Sequence, residues 1–109
     1  MLLMHHRGAR SGVERVSPLV YWRVSDTTLA VLASNFGSNS HPSWYYNLLA
    51  HPITTIELGA STWTVEARVA SEQLRAELLT HMRRASPSVE QAVRRTDRSI
   101  PVVVLDLKT

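Results

Sequence analysis

Ser61 to Ala70 alternates without a break: Trp63, Val65, Ala67 and Val69 fall on one side, Thr62, Thr64, Glu66 and Arg68 on the other. A period of two sends successive side chains to opposite faces, so this stretch reads as a half-buried strand of an antiparallel sheet. Gly59-Ala60 just before it makes a tight connection to another strand over Ile53 to Leu58. A chain built around such a hairpin must bury one face of a sheet, and the remaining segments supply what covers it.

Residues 2–6 are short and mostly apolar and read as a first strand. Val13 to Val24 has strand periodicity, with Val16, Val20, Trp22 and Val24 on one face and Arg15, Ser17, Tyr21 and Arg23 on the other. Pro18 removes a ladder donor there, which places it at an edge or a bulge. Thr27 to Ala33 is a continuous apolar run suited to a buried strand, and Pro101 to Leu107 closes the chain with a β-branched one. Three helices are expected. The first starts near Pro42 and stops before Pro52, and the second runs from an N-cap at Ser71 to about Ala85. Leu74, Leu78 and Met82 give the second one apolar face; the third has Ser86 as cap, Pro87 at its first position, and Val89, Ala92 and Val93 inward. About six mostly antiparallel strands with helices inserted late and no βαβ rhythm make an α+β fold with a barrel-like sheet, a single domain over residues 1–109.

The 109 residues suffice for one modest core with a site at its edge, burying roughly 60–70% of the unfolded surface. With no cysteine, disulfides, thiolate metal sites and a cysteine nucleophile are excluded, and a reducing cytoplasm suits the chain. The opening residues are too short in apolar length for a signal sequence, and no later run approaches the ~18 apolar residues of a membrane span. A soluble protein is expected, with peripheral membrane contact left open. The net charge is +3, and of the twelve basic residues only Lys108 is a lysine. Arginine binds phosphate and carboxylate through a planar fork, so an acidic ligand or partner is favoured over a neutral one.

Two loops fit an anion. In Gly8-Ala9-Arg10-Ser11-Gly12, followed by Arg15, glycines bracket a basic turn that is either a solvated hairpin or a cradle. As a cradle, Ser11 and the Gly12 amide approach a phosphate while Arg10 and Arg15 clamp it. The second loop, Ser34 to His41, is either a plain connection or a wall facing the N–H groups of the helix that begins at Pro42. Phe36 in that loop suggests a stacking partner, Trp44 and Tyr45 read as core or site, and Asn47 is an uneasy residue for mid-helix. The five histidines lack ligand spacing, so no metal is expected. No Ser-His-Asp or paired-carboxylate arrangement is visible, and the reactive atoms of an enzyme of this kind would belong to a cofactor.

Taken together, Gly8 to Gly12, Arg15, Pro18-Leu19, Ala33-Ser34, Gly37, Pro42, Trp44-Tyr45, Asn47-Leu48 and Ala50-His51-Pro52 resemble the deazaflavin-dependent nitroreductase family. Thr96-Asp97-Arg98 and Ile100 to Leu105 complete the match. The resemblance implies a split β-barrel that binds coenzyme F420, whose phosphate and oligoglutamate tail make its non-reacting end a polyanion. It implies that Arg10, Ser11, Gly12 and Arg15 hold the phosphate and tail, that Ser34, Asn35, Phe36 and Gly37 line the ring or its chain, and that Pro42, Trp44 and Asn47 lie beside the cofactor. The chain also departs from the family. Ala9-Arg10 stands where members often carry an arginine-lysine pair, and Ser34-Asn35-Phe36-Gly37 where a lysine often follows the serine. The acceptor-pocket tyrosines of the best-known nitroreductases fall at Val20, Ser86, Val89 and Ala92.

The expected activity is an F420H2-dependent oxidoreductase that passes a hydride to a small, electron-poor acceptor. The alternatives are a non-catalytic F420 carrier and an FMN- or haem-binding split barrel. Scattered arginines argue against nucleic acid as a partner, and the spacing leaves monomer or homodimer open.

Overall fold

A computed structural model describes residues 1–108, the side chain of Phe36 excepted. The alternating hairpin forms as the sequence requires: β5 (Ile53–Leu58) and β6 (Ser61–Val69) pair antiparallel from Leu58↔Ser61 to Ile53↔Glu66. Gly59 turns the corner with φ 60°, at the first central position where a type II′ hairpin turn favours glycine. Around it lie β1 (Leu2–Arg7), β2 (Glu14–Leu19), β3 (Trp22–Ser25), β4 (Thr28–Leu32) and β7 (Val102–Lys108). They form one curled antiparallel sheet in the order β2-β1-β5-β6-β7-β4-β3, a half-barrel of the split-barrel kind.

The segment Val13 to Val24 differs from its reading as one strand. It breaks at Val20-Tyr21 into β2 and β3, which lie at opposite edges of the sheet, so the described strands number seven rather than six. Pro18 sits on edge strand β2, where its missing N–H costs no ladder bond on the open side. On β2 the apolar side of the alternation faces outward, with Val16 49% exposed, whereas Val20 and Trp22 beyond its end border a cleft and Trp22 packs toward the outer core. Ser17 and Leu19 turn inward instead, because His6 supplies the partner that makes burying a serine tolerable.

β4 and β7 read as unbroken apolar runs because both of their faces are covered. Leu29, Val31, Val103 and Leu105 join Leu2, Met4, Ile56 and Val65 inside the half-barrel, which α1 (Ser43–Ala50) plugs with Trp44 and Leu48. Ala30, Val102 and Val104 point to the outer face, under Leu79 and Met82 of α2 (Glu72–Ala85) and Val89 of α3 (Pro87–Arg95). Each of the Val, Leu and Met side chains contributes about 1.5–3 kcal/mol on leaving water, which is what fastens the two late helices to the sheet. Ser71 caps α2 by accepting from the Leu74 N–H at 3.2 Å, and Pro87 opens α3. Pro42 is the residue just before α1 rather than its first turn. Glu90 clasps Arg83 across the two helices and Arg94 one turn on, and these contacts hold its carboxyl down at about 2. Among the described residues no helix is long and apolar enough to cross a membrane.

Candidate functional site

The turn joining β1 to β2 is the Gly8–Gly12 segment. The Gly8 N–H donates to the Val13 carbonyl at 3.0 Å, and the Gly12 N–H to the Gly8 carbonyl at 2.9 Å. Gly12 holds φ 69°, a conformation that favours glycine, and a Cβ on Gly8 would crowd the Ser11 Oγ where it now sits in the turn. Ser11 is tucked into the turn, where its Oγ accepts from the Val13 N–H at 3.2 Å. Arg10 and Arg15 are exposed, and among the described residues neither is held by an acid.

A buried string of polar groups anchors this turn to α1. The Ala9 N–H donates to Asn47 Oδ1 at 2.9 Å, Asn47 Nδ2 meets His6 Nδ1 at 2.9 Å, and His6 Nε2 meets Ser17 Oγ at 2.8 Å. His6 is 2% and Asn47 7% exposed. Burial first, then the nearby Arg15 and His5, push the His6 imidazole below its ordinary value and keep it neutral. Both ends of the Asn47 amide are thereby committed, which accounts for an asparagine in mid-helix.

The second loop is pinned by a residue far along the chain. Arg98 donates to the carbonyls of Ser38 at 2.8 Å, Ala33 at 3.0 Å and Ser34 at 2.6 Å, and to His41 Nδ1 at 2.6 Å. Thr96 adds a bond to Asn39 Oδ1 at 3.1 Å. His41 is held below its usual value by burial and then by Arg98, so its Nδ1 stays free to accept. Within the loop Asn35 to Gly37 form one 3₁₀ turn. Asn35 takes φ 47° while its amide donates to Ser38 Oγ at 2.8 Å and to the Ser40 carbonyl at 3.1 Å. Gly37 takes φ 76° with its Cα against α3, where a Cβ would approach the Arg95 Cβ to 2.8 Å.

Between β2, this loop, the start of α1 and α3 lies a cleft of about 820 Å³. Of the residues expected beside a cofactor, Ser34, Asn35, Pro42 and Trp44 line it; all four expected at an acceptor, Val20, Ser86, Val89 and Ala92, line it too. Arg10, Ser11, Gly12, Arg15, Gly37 and Asn47 stand outside the lining, and the Phe36 side chain lies outside the described residues. Arg15 shares a strand face with Ser17 and Leu19, both in the cleft wall, so it stands at the hairpin end of the same face.

Sequence reasoning missed Ser17, Ser88, Gln91 and Arg95, which also line the cleft. The signal was present on α3, because Ser88, Gln91, Ala92 and Arg95 follow the i, i+3, i+4, i+7 spacing of one helix face. Ser17 was placed on the face opposite Val16, but the alternation did not say which of the two faces the core takes. The cleft therefore combines an apolar wall of Val20, Trp22, Leu32, Val89 and Ala92 with several hydroxyls and the Arg95 side chain.

Residues 1–106 match the family model described as F420H(2)-dependent quinone reductase. A Mycobacterium tuberculosis protein provisionally named F420H(2)-dependent quinone reductase Rv3178 is 37% identical over 105 residues, covering 95% of this chain and 87% of its own. F420H(2)-dependent quinone reductase Rv1261c of the same organism is 33% identical over 108 residues, covering 95% and 71%. Among solved structures, one of an F420-H2 dependent reductase (FDR-A) superposes with TM-score 0.84 at 30% identity, covering 96% of this chain and 92% of that one. Another, described as a domain-swapped dimer, gives TM-score 0.85 at 30% identity, covering 96% and 78%. The haem storage protein HutZ of Vibrio cholerae gives 0.73 at 14% identity, a likeness of fold alone, covering 99% and 81%.

Proposed function

The chain belongs to the F420H(2)-dependent quinone reductase family, and from that footing we propose that its cleft is where reduced F420 meets a small quinone-type acceptor. As a member it is an F420H2-dependent oxidoreductase with coenzyme F420 as its cofactor. The observation that carries the placement is convergence: two residue sets drawn from distant parts of the sequence, eight side chains in all, line one cleft. Its volume of about 820 Å³ is within the range of ligand pockets, roughly 300–1,000 Å³. The donor set fits the cofactor, because unpaired Arg10 and Arg15 at one end are suited to a polyanionic tail.

In this reading Arg10, Ser11 and Arg15 hold the phosphate and tail, while the Gly12 N–H stays on the Gly8 carbonyl and keeps the turn closed. Ser34, Asn35 and Trp44 flank the ring, with Pro42 at the helix entry and Gly37 letting the loop pack on α3. Bound F420H2 supplies the hydride. The chain's own residues orient the two reactants and exclude water: Trp44, only 7% exposed, belongs to both the inner core and the cleft wall, so its face of the cleft cannot drift. At the acceptor end Val20, Val89 and Ala92 offer apolar contact in place of phenol groups, and Ser86 offers one hydroxyl, an environment for a flat, electron-poor ring. The domain-swapped relative favours a homodimer over a monomer.

The test is anaerobic mixing of F420H2 with a benzoquinone or naphthoquinone, followed by the return of oxidised F420 absorbance. The wild-type protein should accelerate the reaction, and Val20→Asp, on an exposed position, should raise the KM for quinone while leaving F420 affinity unchanged. No acceleration over the protein-free rate would overturn the assignment of a quinone acceptor.

A further inference from the structure

The buried string from Ala9 to Ser17 has a direction, and each link fixes the next. A backbone N–H can only donate, so the atom of Asn47 that meets Ala9 at 2.9 Å is its oxygen. The other end of that amide is then NH2, also a donor, and His6 Nδ1 at 2.9 Å must accept from it. A neutral imidazole with a bare Nδ1 carries its proton on Nε2, so His6 donates to Ser17 Oγ at 2.8 Å. Ser17 Oγ is left with its own O–H, which has no partner among the described residues, and Ser17 lines the cleft.

We propose that Ser17 is a cofactor-contacting residue that acts as a locked donor: its hydroxyl hydrogen-bonds an accepting atom on the deazaflavin portion of bound F420, with His6 and Asn47 as the positioning residues that aim it. The inference rests on the proposed placement of F420 in this cleft. Its location on the cofactor side follows from the strand. Ser17 is two residues from Arg15 on one face of β2, and its support comes from α1, the helix that presents Trp44. The same string ties the hairpin turn to the cleft wall, so the segment carrying Arg10 and the hydroxyl at Ser17 are ordered together. With one lone pair taken by the His6 N–H, the Ser17 O–H is not drawn back to the imidazole and stays available to donate, beside one remaining lone pair.

Two measurements test this. Long-range proton–nitrogen NMR on 15N-histidine protein reads the His6 tautomer: the Nε2–H form is expected, and the Nδ1–H form would overturn the lock whatever the protein binds. Fluorescence titration then compares F420 with the tailless deazaflavin riboside for wild type, Ser17→Ala, Ser17→Thr and Arg15→Ala. Ser17→Ala should weaken both ligands by a similar factor, roughly three- to tenfold, the range of one neutral hydrogen bond. Ser17→Thr should stay within about twofold of wild type, since it restores the hydroxyl. Arg15→Ala should weaken F420 and leave the riboside alone. A Ser17→Ala protein that binds the riboside as tightly as wild type, or loses affinity for F420 only, overturns the contact. Failure of the wild type to bind either ligand overturns the placement of F420 itself and the contact with it.

Discussion

Arg98 carries its charge into the protein with no carboxylate among the described residues to meet it. Three carbonyls and one imidazole take its N–H groups, and the resulting loss of water lowers its pKa. Thr96-Asp97-Arg98 was legible in the sequence only as a motif; its work, holding Ser34 and Ser38 some sixty positions away, depends on a contact no local pattern encodes. A lysine has one nitrogen where these partners need a fork, so Arg98→Lys should cost about 1–3 kcal/mol in urea unfolding and weaken F420 binding. Unchanged stability and affinity would show that the loop holds itself. The histidines set a pH limit of a second kind. His6 and His41 are both held below the ordinary value of 6.5, each mainly by burial, then by Arg15 and His5 for the first and by Arg98 for the second. A base with a lowered folded pKa contributes stability that is full above the unfolded value and lost as pH falls through the folded one. The lowered carboxylates, Glu90 at about 2 and Asp106, act below their own unfolded values near 4, so the interval just below pH 6.5 belongs to the histidines. Denaturant midpoints should therefore fall between pH 7 and pH 5, and a flat profile would contradict the neutral string.

Elements with their own start and stop signals were readable from sequence: α2 with its Ser71 cap, α3 with Pro87, and the β5–β6 hairpin formed where expected. The stretch from Val13 to Val24 was not, because periodicity reports which residues share a face but not which face the core takes, nor whether the chain leaves one sheet edge for the other. Two unmarked residues, Val20-Tyr21, carry the crossing from β2 to β3. The fit of the Ser34–His41 loop against α3 belongs to this scale as well. Gly37 needs a positive φ and leaves no room for a methyl group beside Arg95. Gly37→Ala should push the loop from α3 and lower F420 affinity several-fold, by fluorescence titration, while circular dichroism keeps the sheet signal. Wild-type affinity in that variant would mean the loop's packing has no bearing on the cleft.

Across the whole molecule, the cleft exists because the sheet curls until its first edge strand, the second loop, α1 and α3 face one another. Eight residues of the walls were nameable from the sequence by resemblance. Their meeting was not, since the order β2-β1-β5-β6-β7-β4-β3 joins pieces far apart along the chain. The polar string from Ala9 to Ser17 escaped for the same reason: it crosses a hairpin turn, a helix and two strands, and although Asn47 stood out as uneasy in mid-helix, nothing local named His6 and Ser17 as its partners. The central claim is that this fold brings an arginine-flanked cleft to a deazaflavin with a polyanionic tail. Its most direct test is a fluorescence titration of the purified protein with F420 and with FMN, at low and at moderate salt. The account predicts micromolar or tighter binding of F420, weakened as salt screens Arg10 and Arg15, with little binding of FMN. Equal affinity for the two, or no binding of F420 by a folded sample, would contradict it.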